Sequence, residues 1–459
     1  MRKTSSLLAV LLTLSLIGLV APAASAYDPN PGGTFNIPDP WGGTKANFRI
    51  VKHVERAINN AQGPTKRYPS PTIHIATFLL DRKPSVDALV KACRRGISVR
   101  VILDRDIDNR NSRRLIRVLN SDNVRDRNGD GKPDSKPKRG PCDKPLKDKK
   151  GKGKKSGHMS GPGGGQLSHA QVMRSVKRPT KAAVTWGKDR SYVKRCIGSC
   201  RGAGGNMHSK FFTFSRTGKA RHVVMVSSSN LNRGGAQGGW NELYTIKNRP
   251  VSYRGYVRVH RDMTDDRKAG DKKVEVRDGK LVSRFFPMRN ASKKTDPTLR
   301  DLNRIECRSA IGPTRVHVSM FYWKGRRGNY LASRLLSMAR QGCKVSVLYG
   351  APSLEIAERL RKAADRRLIN LWDSRWDRNQ DGYNEVRTHA KYVLVKGTYG
   401  KDRKAHVVMT GSQNWVAGSL SRSDETTLNI QSARAYGEYL RNWKTIRKHS
   451  RRLPYHRYR

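Results

Sequence analysis

The sequence predicts an α/β protein in which one α/β/α domain is written twice, the copies packing as a pseudo-dimer with mixed, largely parallel sheets. Three observations carry this. A strand, helix, strand pattern occurs once in each half of the chain, an identical HVVM opens a later strand in both halves, and a His-x-Lys pair precedes that strand each time.

The first copy reads TIHIATFLL from Thr72, then a helical ALVKACRRG, then ISVRVILD ending at Asp104. The second reads RVHVSMFYW from Arg315, then SRLLSMARQG, then CKVSVLYG ending at Gly350. Apolar, β-branched runs on either side of an amphipathic helical pattern make a βαβ unit, which implies parallel pairing through a right-handed crossover. Further along, RHVVMVSSSN (221–230) matches AHVVMTGSQN (405–414). NELYTI (241–246) then matches DETTLNI (424–430), with Glu242 and Glu425 in corresponding places.

Boundaries follow from composition. Arg2 and Lys3, an apolar run from Leu7 to Val20 and the small residues Ala24, Ser25 and Ala26 have the form of a secretory signal over residues 1–26. No later run approaches the ~20 apolar residues of a membrane-spanning helix, so the mature chain is expected to be exported, without a transmembrane segment, as a monomer. The first domain is read as 27–270 and the second as 271–459. Leu103 to His208 covers 105 positions and Leu348 to His389 only 41, so the first half carries an insertion, near 126–200. Its stretch 135–165 is rich in Lys, Gly and Pro and cannot bury enough surface to fold alone. The six cysteines of an exported chain read as disulfides: Cys196 with Cys200, Cys93 with Cys142 and Cys307 with Cys343, each pair staying within one half.

The formal charge is +58. A field of that size attracts polyanions whatever the fold, so nucleic acid, anionic lipid surfaces and acidic cell-wall polymers are all candidate partners.

In an extended strand residues i and i+2 share a face, so His208 projects with Lys210, and His389 with Lys391, while Val393 and Val395 continue that face into the core. A buried His and Lys gain nothing without an anionic partner. If the halves pack about a pseudo-twofold axis, both pairs converge with Asn230 and Asn414, supported by Ser228 and Ser412. Such a pocket holds two imidazoles to act as nucleophile and general acid, two ammonium groups for phosphate oxygens, and amide and hydroxyl donors. It is a phosphoryl-transfer site that requires no cofactor and no catalytic metal. His74, His317, His222 and His406 also recur in both halves, but inside strands, and are read as scaffold; Trp415 is either a pocket wall or a packed aromatic.

Here the sequence resembles the phospholipase D superfamily, whose signature is His-x-Lys, four residues, Asp, then Gly-Ser-x-Asn. The second motif supplies His389, Lys391, Gly411, Ser412 and Asn414; the first supplies His208, Lys210, Ser228 and Asn230, with Ser227 where glycine is usual. The resemblance covers roughly residues 47 to 450 and implies a covalent phosphohistidine, with His208 as nucleophile and His389 as acid or the reverse. It also implies that Glu242 and Glu425 orient the partner histidines. The family's aspartate is absent from both copies, its places held by Ser215 and Lys396. Tyrosyl-DNA phosphodiesterases also lack it while keeping His, Lys and Asn.

A second repeat remains. DRNGDGKPD and DRNQDGYNE place Asp126, Asn128, Asp130 and Asp134, and Asp377, Asn379, Asp381 and Glu385, at the alternate positions from which calcium loops are built. The carboxylate at the twelfth position of an EF-hand is missing, since Pro137 and Thr388 stand there, so the readings are a structural calcium or a pair of Asx turns.

The function expected is a secreted phosphodiesterase hydrolysing phospholipid head groups. The alternatives are a metal-independent nuclease acting on DNA or RNA and a polyanion-binding protein without turnover.

Overall fold

The computed structural model describes residues 27–104, 108–119 and 191–453. The expected signal, most of the basic insertion, the Asp126–Asp134 motif and Cys142, and with it the pairing expected for Cys93, lie outside these residues.

The duplication is realised as two mixed sheets. The first runs Gly32–Phe35, Glu242–Ile246, Ala220–Ser227, Phe211–Thr217, Thr72–Thr77, Ser98–Asp104, Tyr192–Cys196. The second contains, in the corresponding order, Glu425–Gln431, Asp402–Gly411, Tyr392–Tyr399, Arg315–Trp323, Lys344–Pro352 and Asn370–Asp373. It is extended at one edge by Leu281–Phe286 and Val274–Asp278 and at the other by Arg451–Leu453.

Both βαβ units form as read. Thr72–Thr77 pairs in parallel with Ser98–Asp104 across helix Lys83–Arg94, and Arg315–Trp323 pairs in parallel with Lys344–Pro352 across helix Gly325–Arg340. Parallel pairing is confined to the three-strand unit at this end of each sheet; the remaining pairs are antiparallel. Chain economy explains the balance. Phe211–Thr217 turns into Ala220–Ser227 within two residues, a connection only antiparallel strands can make, and Gly218 supplies the φ of +54° that the turn needs.

Each sheet is buried on both faces, which is why FFTF and YVLV read as continuous apolar runs. Phe212 and Phe214 point into a core under the helices of the first half, and Val393 and Val395 into the equivalent core of the second. Phe211, Tyr392 and Leu394 point the other way, into a core that the halves share. The last helix of each half, Pro250–Thr264 and Ala433–Lys448, contributes Tyr256, Tyr439 and Trp443 to that shared core. The N-terminal strand Gly32–Phe35 reaches across to the final helix: the Gly33 N–H donates to Glu438 Oε2 at 2.8 Å, and Phe35 meets Tyr439 edge-on at 5.0 Å.

Two of the expected disulfides, Cys196–Cys200 and Cys307–Cys343, are present. No helix among the described residues is long and apolar enough to cross a membrane.

Trp240 sits at the centre of the shared core with 0% of its surface exposed, stacked on Trp41 and on His449. Trp240→Ala is expected to cost about 3–5 kcal/mol, the range for emptying a large aromatic site in a core. The check is a lower urea midpoint with an unchanged m-value.

Candidate active site

The two His-x-Lys motifs lie just ahead of the strands that begin at Phe211 and Tyr392, in extended segments outside their own sheets. The sequence reading placed them inside those strands. Each segment instead pairs with the opposite half. The His208 N–H donates to the Asp424 carbonyl at 3.0 Å and the His389 N–H to the Trp240 carbonyl at 2.9 Å. Around them Arg387–Thr388 pairs with Gly239–Trp240, and Met207 bridges to Asp424.

The lysines behave identically in both copies. Lys210 Nζ donates to the His208 carbonyl and Lys391 Nζ to the His389 carbonyl, each at 2.5 Å. Both are buried, and burial lowers the pKa of each; Glu425 opposes the shift at Lys210, and Glu242 and then Glu425 oppose it at Lys391. Asn230 Oδ1 accepts from the Leu79 N–H at 3.3 Å, and Asn414 Oδ1 accepts from the equivalent Tyr322 N–H at 3.2 Å. With the oxygens committed, each amide is left with its NH2 as a donor.

The carboxylates break the symmetry. The Ser228 N–H donates to the Glu242 carbonyl at 3.1 Å, whereas the Ser412 N–H donates to the carbonyl of Thr426, at 2.9 Å. Ser227 lies opposite Leu243, and Gly411 opposite Thr427. Glu242 therefore corresponds to Thr426, and Glu425 to Asn241. The reading that set Glu242 and Glu425 in equivalent places is out by one residue, because aligning on the shared glutamate ignores the ladder that fixes register.

The two histidines consequently have different partners. His208 Nδ1 lies 3.0 Å from both carboxylate oxygens of Glu425, while His389 Nδ1 lies 2.8 Å from the amide oxygen of Asn241. Ser412 Oγ donates to Glu425 at 2.5 Å. Ser228 Oγ contacts both Glu242 and Asn241, at 2.7 and 3.1 Å. Glu242 is held by Thr410 Oγ1 at 3.1 Å and faces the Lys391 main chain rather than a histidine; its burial raises its pKa.

Burial pulls His208 down to about 4, against the attraction of Glu425. Burial also holds His389 well below 6.5, and the nearby Lys391 and Lys210 push it further the same way. Both imidazoles are thus neutral at pH 7. Each Nδ1–H is donated to its acceptor, and each Nε2 lone pair is left free.

Two aromatic residues that the sequence reading passed over complete the pocket. Phe78 lies 5.6 Å from His208 and Phe321 4.7 Å from His389, ring centre to ring centre, and each also faces the lysine of its own half. Their signal was present, since TIHIATFLL and RVHVSMFYW both carry Phe at the seventh place. Asn241 was passed over for its glutamate neighbour.

The remaining readings resolve simply. Trp415 is 3% exposed and packs edge-on against Trp323, so it belongs to the core. His74 and His317 pack against His260 and Trp443, and His222 and His406 each lie on a tyrosine of the helix that follows, all scaffold positions as read. Ser215, at the place of the family's aspartate, accepts the Thr72 N–H at 2.9 Å. Gly411 has φ +139° and no room for a side chain, as a Cβ there would lie 2.2 Å from the Thr426 carbonyl. The carboxylates of Asp377, Asp381 and Glu385 lie within 4.8 Å of one another, and one oxygen of Asp377 is buried without a hydrogen-bond partner; Asn379 turns its amide towards Asp381.

Fold and site together define a two-motif His-x-Lys protein in which each half completes the histidine of the other. The family profile described as "Cardiolipin synthase, PLD-like domain" matches residues 55–256 and 308–447, most of the chain. The chain belongs to the phospholipase D superfamily. Among solved structures, the chain is similar to phosphatidylserine synthase of Haemophilus influenzae Rd KW20 at 12% identity and TM-score 0.49, covering 93% of this chain and 88% of that one. Yeast tyrosyl-DNA phosphodiesterase is similar at 8% identity and TM-score 0.41, covering 88% and 90%. Polyphosphate kinase from Porphyromonas gingivalis is similar at 12% identity and TM-score 0.48, covering 90% of this chain but only half, 50%, of the kinase. A comparison with curated protein sequences finds no match.

Replacing the amide beside His389 by a carboxylate puts a negative charge where a neutral acceptor stands, 2.8 Å from Nδ1. In Asn241→Asp the His389 pKa is expected to rise by at least about one unit, as when an ion pair is added at hydrogen-bond distance. Imidazole 15N shifts followed from pH 4 to 8 read this directly, and an unmoved His389 would show that Asn241 does not control it.

Proposed function

We propose that the protein is a phosphodiesterase that forms a phosphohistidine on His208 and hydrolyses phospholipid head-group phosphodiesters. The observation that carries this is the unequal pairing of the histidines, His208 with Glu425 and His389 with Asn241. A carboxylate at Nδ1 makes Nε2 more basic and stabilises the positive ring formed when that nitrogen bonds to phosphorus. An amide does neither, which suits a group that gains a proton only briefly.

In the first step the His208 Nε2 lone pair attacks phosphorus, the bond to the leaving oxygen breaks, and that oxygen takes a proton from His389 Nε2. Both histidines are neutral in the empty site, so His389 Nε2 takes this proton from solvent as the substrate binds, the negative phosphodiester favouring the charged ring, and returns it to solvent when the product leaves. The lysines and the Asn230 and Asn414 amides hold the non-bridging oxygens as charge builds. In the second step His389 takes a proton from water, the oxygen attacks phosphorus, and the P–N bond breaks to free His208 and a phosphomonoester. A second alcohol in place of water gives exchange rather than hydrolysis.

The lipid substrate is supported by the family description and by Phe78 and Phe321 beside the two histidines. The charge of +58 favours a second reading, cleavage of nucleic acid. Export is supported by the apolar leader together with two disulfides among the described residues. In the loop 377–385, Asp377, Asp381 and Glu385 would hold a structural calcium. Calcium titration by calorimetry should then show binding that Asp381→Asn removes, while EDTA leaves turnover intact; heat-silent titration ends that assignment.

The catalytic roles separate by leaving group. His208→Ala is expected to lose at least about 10⁴-fold on both an aryl phosphodiester and phosphatidylcholine. His389→Ala should lose about 10²–10⁴-fold on the lipid but much less on the aryl ester, whose leaving group needs no proton. Equal losses for His389→Ala on the two substrates would reverse or remove the assignment. Choline release and strand cleavage by the parent protein choose between the two substrates, and a parent protein inert on every diester would leave a binding protein.

A further inference from the structure

The second half contains a cleft of about 920 Å³ formed by residues outside the catalytic constellation. Its lining includes Lys272 and Lys273 from one loop, Lys293 and Lys294 from another, and Arg300 from the short helix Pro297–Asn303. The loops are fastened at one end, where the Arg289 N–H donates to the Gly270 carbonyl at 3.0 Å and the Arg289 side chain pairs with Asp271 at 3.0 Å.

The acids of the cleft are already neutralised. Asp271 is paired with Arg289, and Asp296 is buried against Arg327 at 2.9 Å. Lys273 lies 3.5 Å from Glu275. Lys272, Lys293, Lys294 and Arg300 have no carboxylate within ion-pairing distance among the described residues. Four cations around one concavity repel one another, and an anion entering the cleft relieves that repulsion. Met288, which is 4% exposed, and the partly buried Leu299 also line it.

We propose that this cleft is a docking groove for a single-stranded nucleic acid, separate from the site that does chemistry. Three features select that occupant. Lysines from two separate loops around one concavity suit a phosphate chain, and lysine, a point charge without a planar fork, grips phosphates without reading sequence. The partly buried Leu299 gives a sugar or base one apolar contact on the lining. A bilayer is flat on this scale and would touch only the rim. The groove is also tied to the catalytic centre: Arg327, which anchors Asp296, donates to the Asn414 carbonyl at 2.9 Å. The inference goes beyond the catalytic reading and holds whichever phosphodiester is cleaved.

The test compares two triple variants of the full chain that lose the same charge. One is Lys272→Ala, Lys293→Ala, Lys294→Ala; the other replaces Lys52, Lys66 and Lys91, exposed residues of the first half, by Ala. Binding of a labelled oligothymidylate of about 20 nucleotides is followed by fluorescence anisotropy across a salt series. The cleft variant is expected to bind about tenfold more weakly at ~0.1 M salt. The slope of log Kd against log salt should shrink by about 2, from about 0.7 per lost phosphate contact, and the control variant should change by less than about twofold. Equal weakening of both variants would reduce the effect to net charge and overturn the groove. So would a cleft variant that keeps its oligonucleotide affinity but loses binding to phosphatidylglycerol vesicles, since that identifies a membrane contact. The cleft variant should turn over the aryl phosphodiester like the parent, so a wrong catalytic assignment and a wrong groove give different results.

Discussion

The site depends on two main-chain hydrogen bonds that pass between the halves, from the His208 N–H to the Asp424 carbonyl and from the His389 N–H to the Trp240 carbonyl. Each His-x-Lys segment has left its own sheet, and a buried N–H without a partner would be costly. The opposite half supplies that partner, and in doing so sets where both imidazoles sit. The acceptor residue is followed directly by the side chain that holds the imidazole, Glu425 after Asp424 and Asn241 after Trp240. Main-chain pairing and side-chain orientation are thus one device used twice.

That device explains how two lysines and two histidines can be buried together. Desolvation disfavours every charged form here, and it is the largest influence on all four groups. Glu425 and Glu242 offset it unevenly, one against His208 and one towards Lys391. A symmetric arrangement would give two equivalent histidines and no division of labour. The inequality comes from two differences between the copies, Asn241 against Glu425 and Glu242 against Thr426, within a scaffold that repeats down to the Leu79 and Tyr322 amides that hold the asparagines.

Much of this was legible in the sequence because duplication tests each reading twice. The βαβ units, the strands after His-x-Lys, the convergence of the motifs and the scaffold role of the other histidines followed from comparing the halves. What was not legible depended on pairing across space. Alignment of NELYTI with DETTLNI rewards the shared glutamate, but the ladder opposite Ser227 and Gly411 fixes register and moves the equivalence by one residue. The motifs looked like strand residues because the apolar run after them is a strand; that they precede it depends on partners more than a hundred residues away. Phe78 and Phe321 looked like core, since an aromatic beside a pocket histidine carries no mark of it in a run of apolar residues.

The contact between the N-terminal strand Gly32–Phe35 and the final helix has a consequence for how the molecule behaves in dilute solution. A site assembled from two separate subunits comes apart as concentration falls. Here both halves belong to one chain, joined through residues 265–273 and clasped again where Gly33 meets Glu438, so each half finds the other at an effective concentration set by the tether. The geometry of the site should therefore be independent of dilution, because the chain itself supplies both halves.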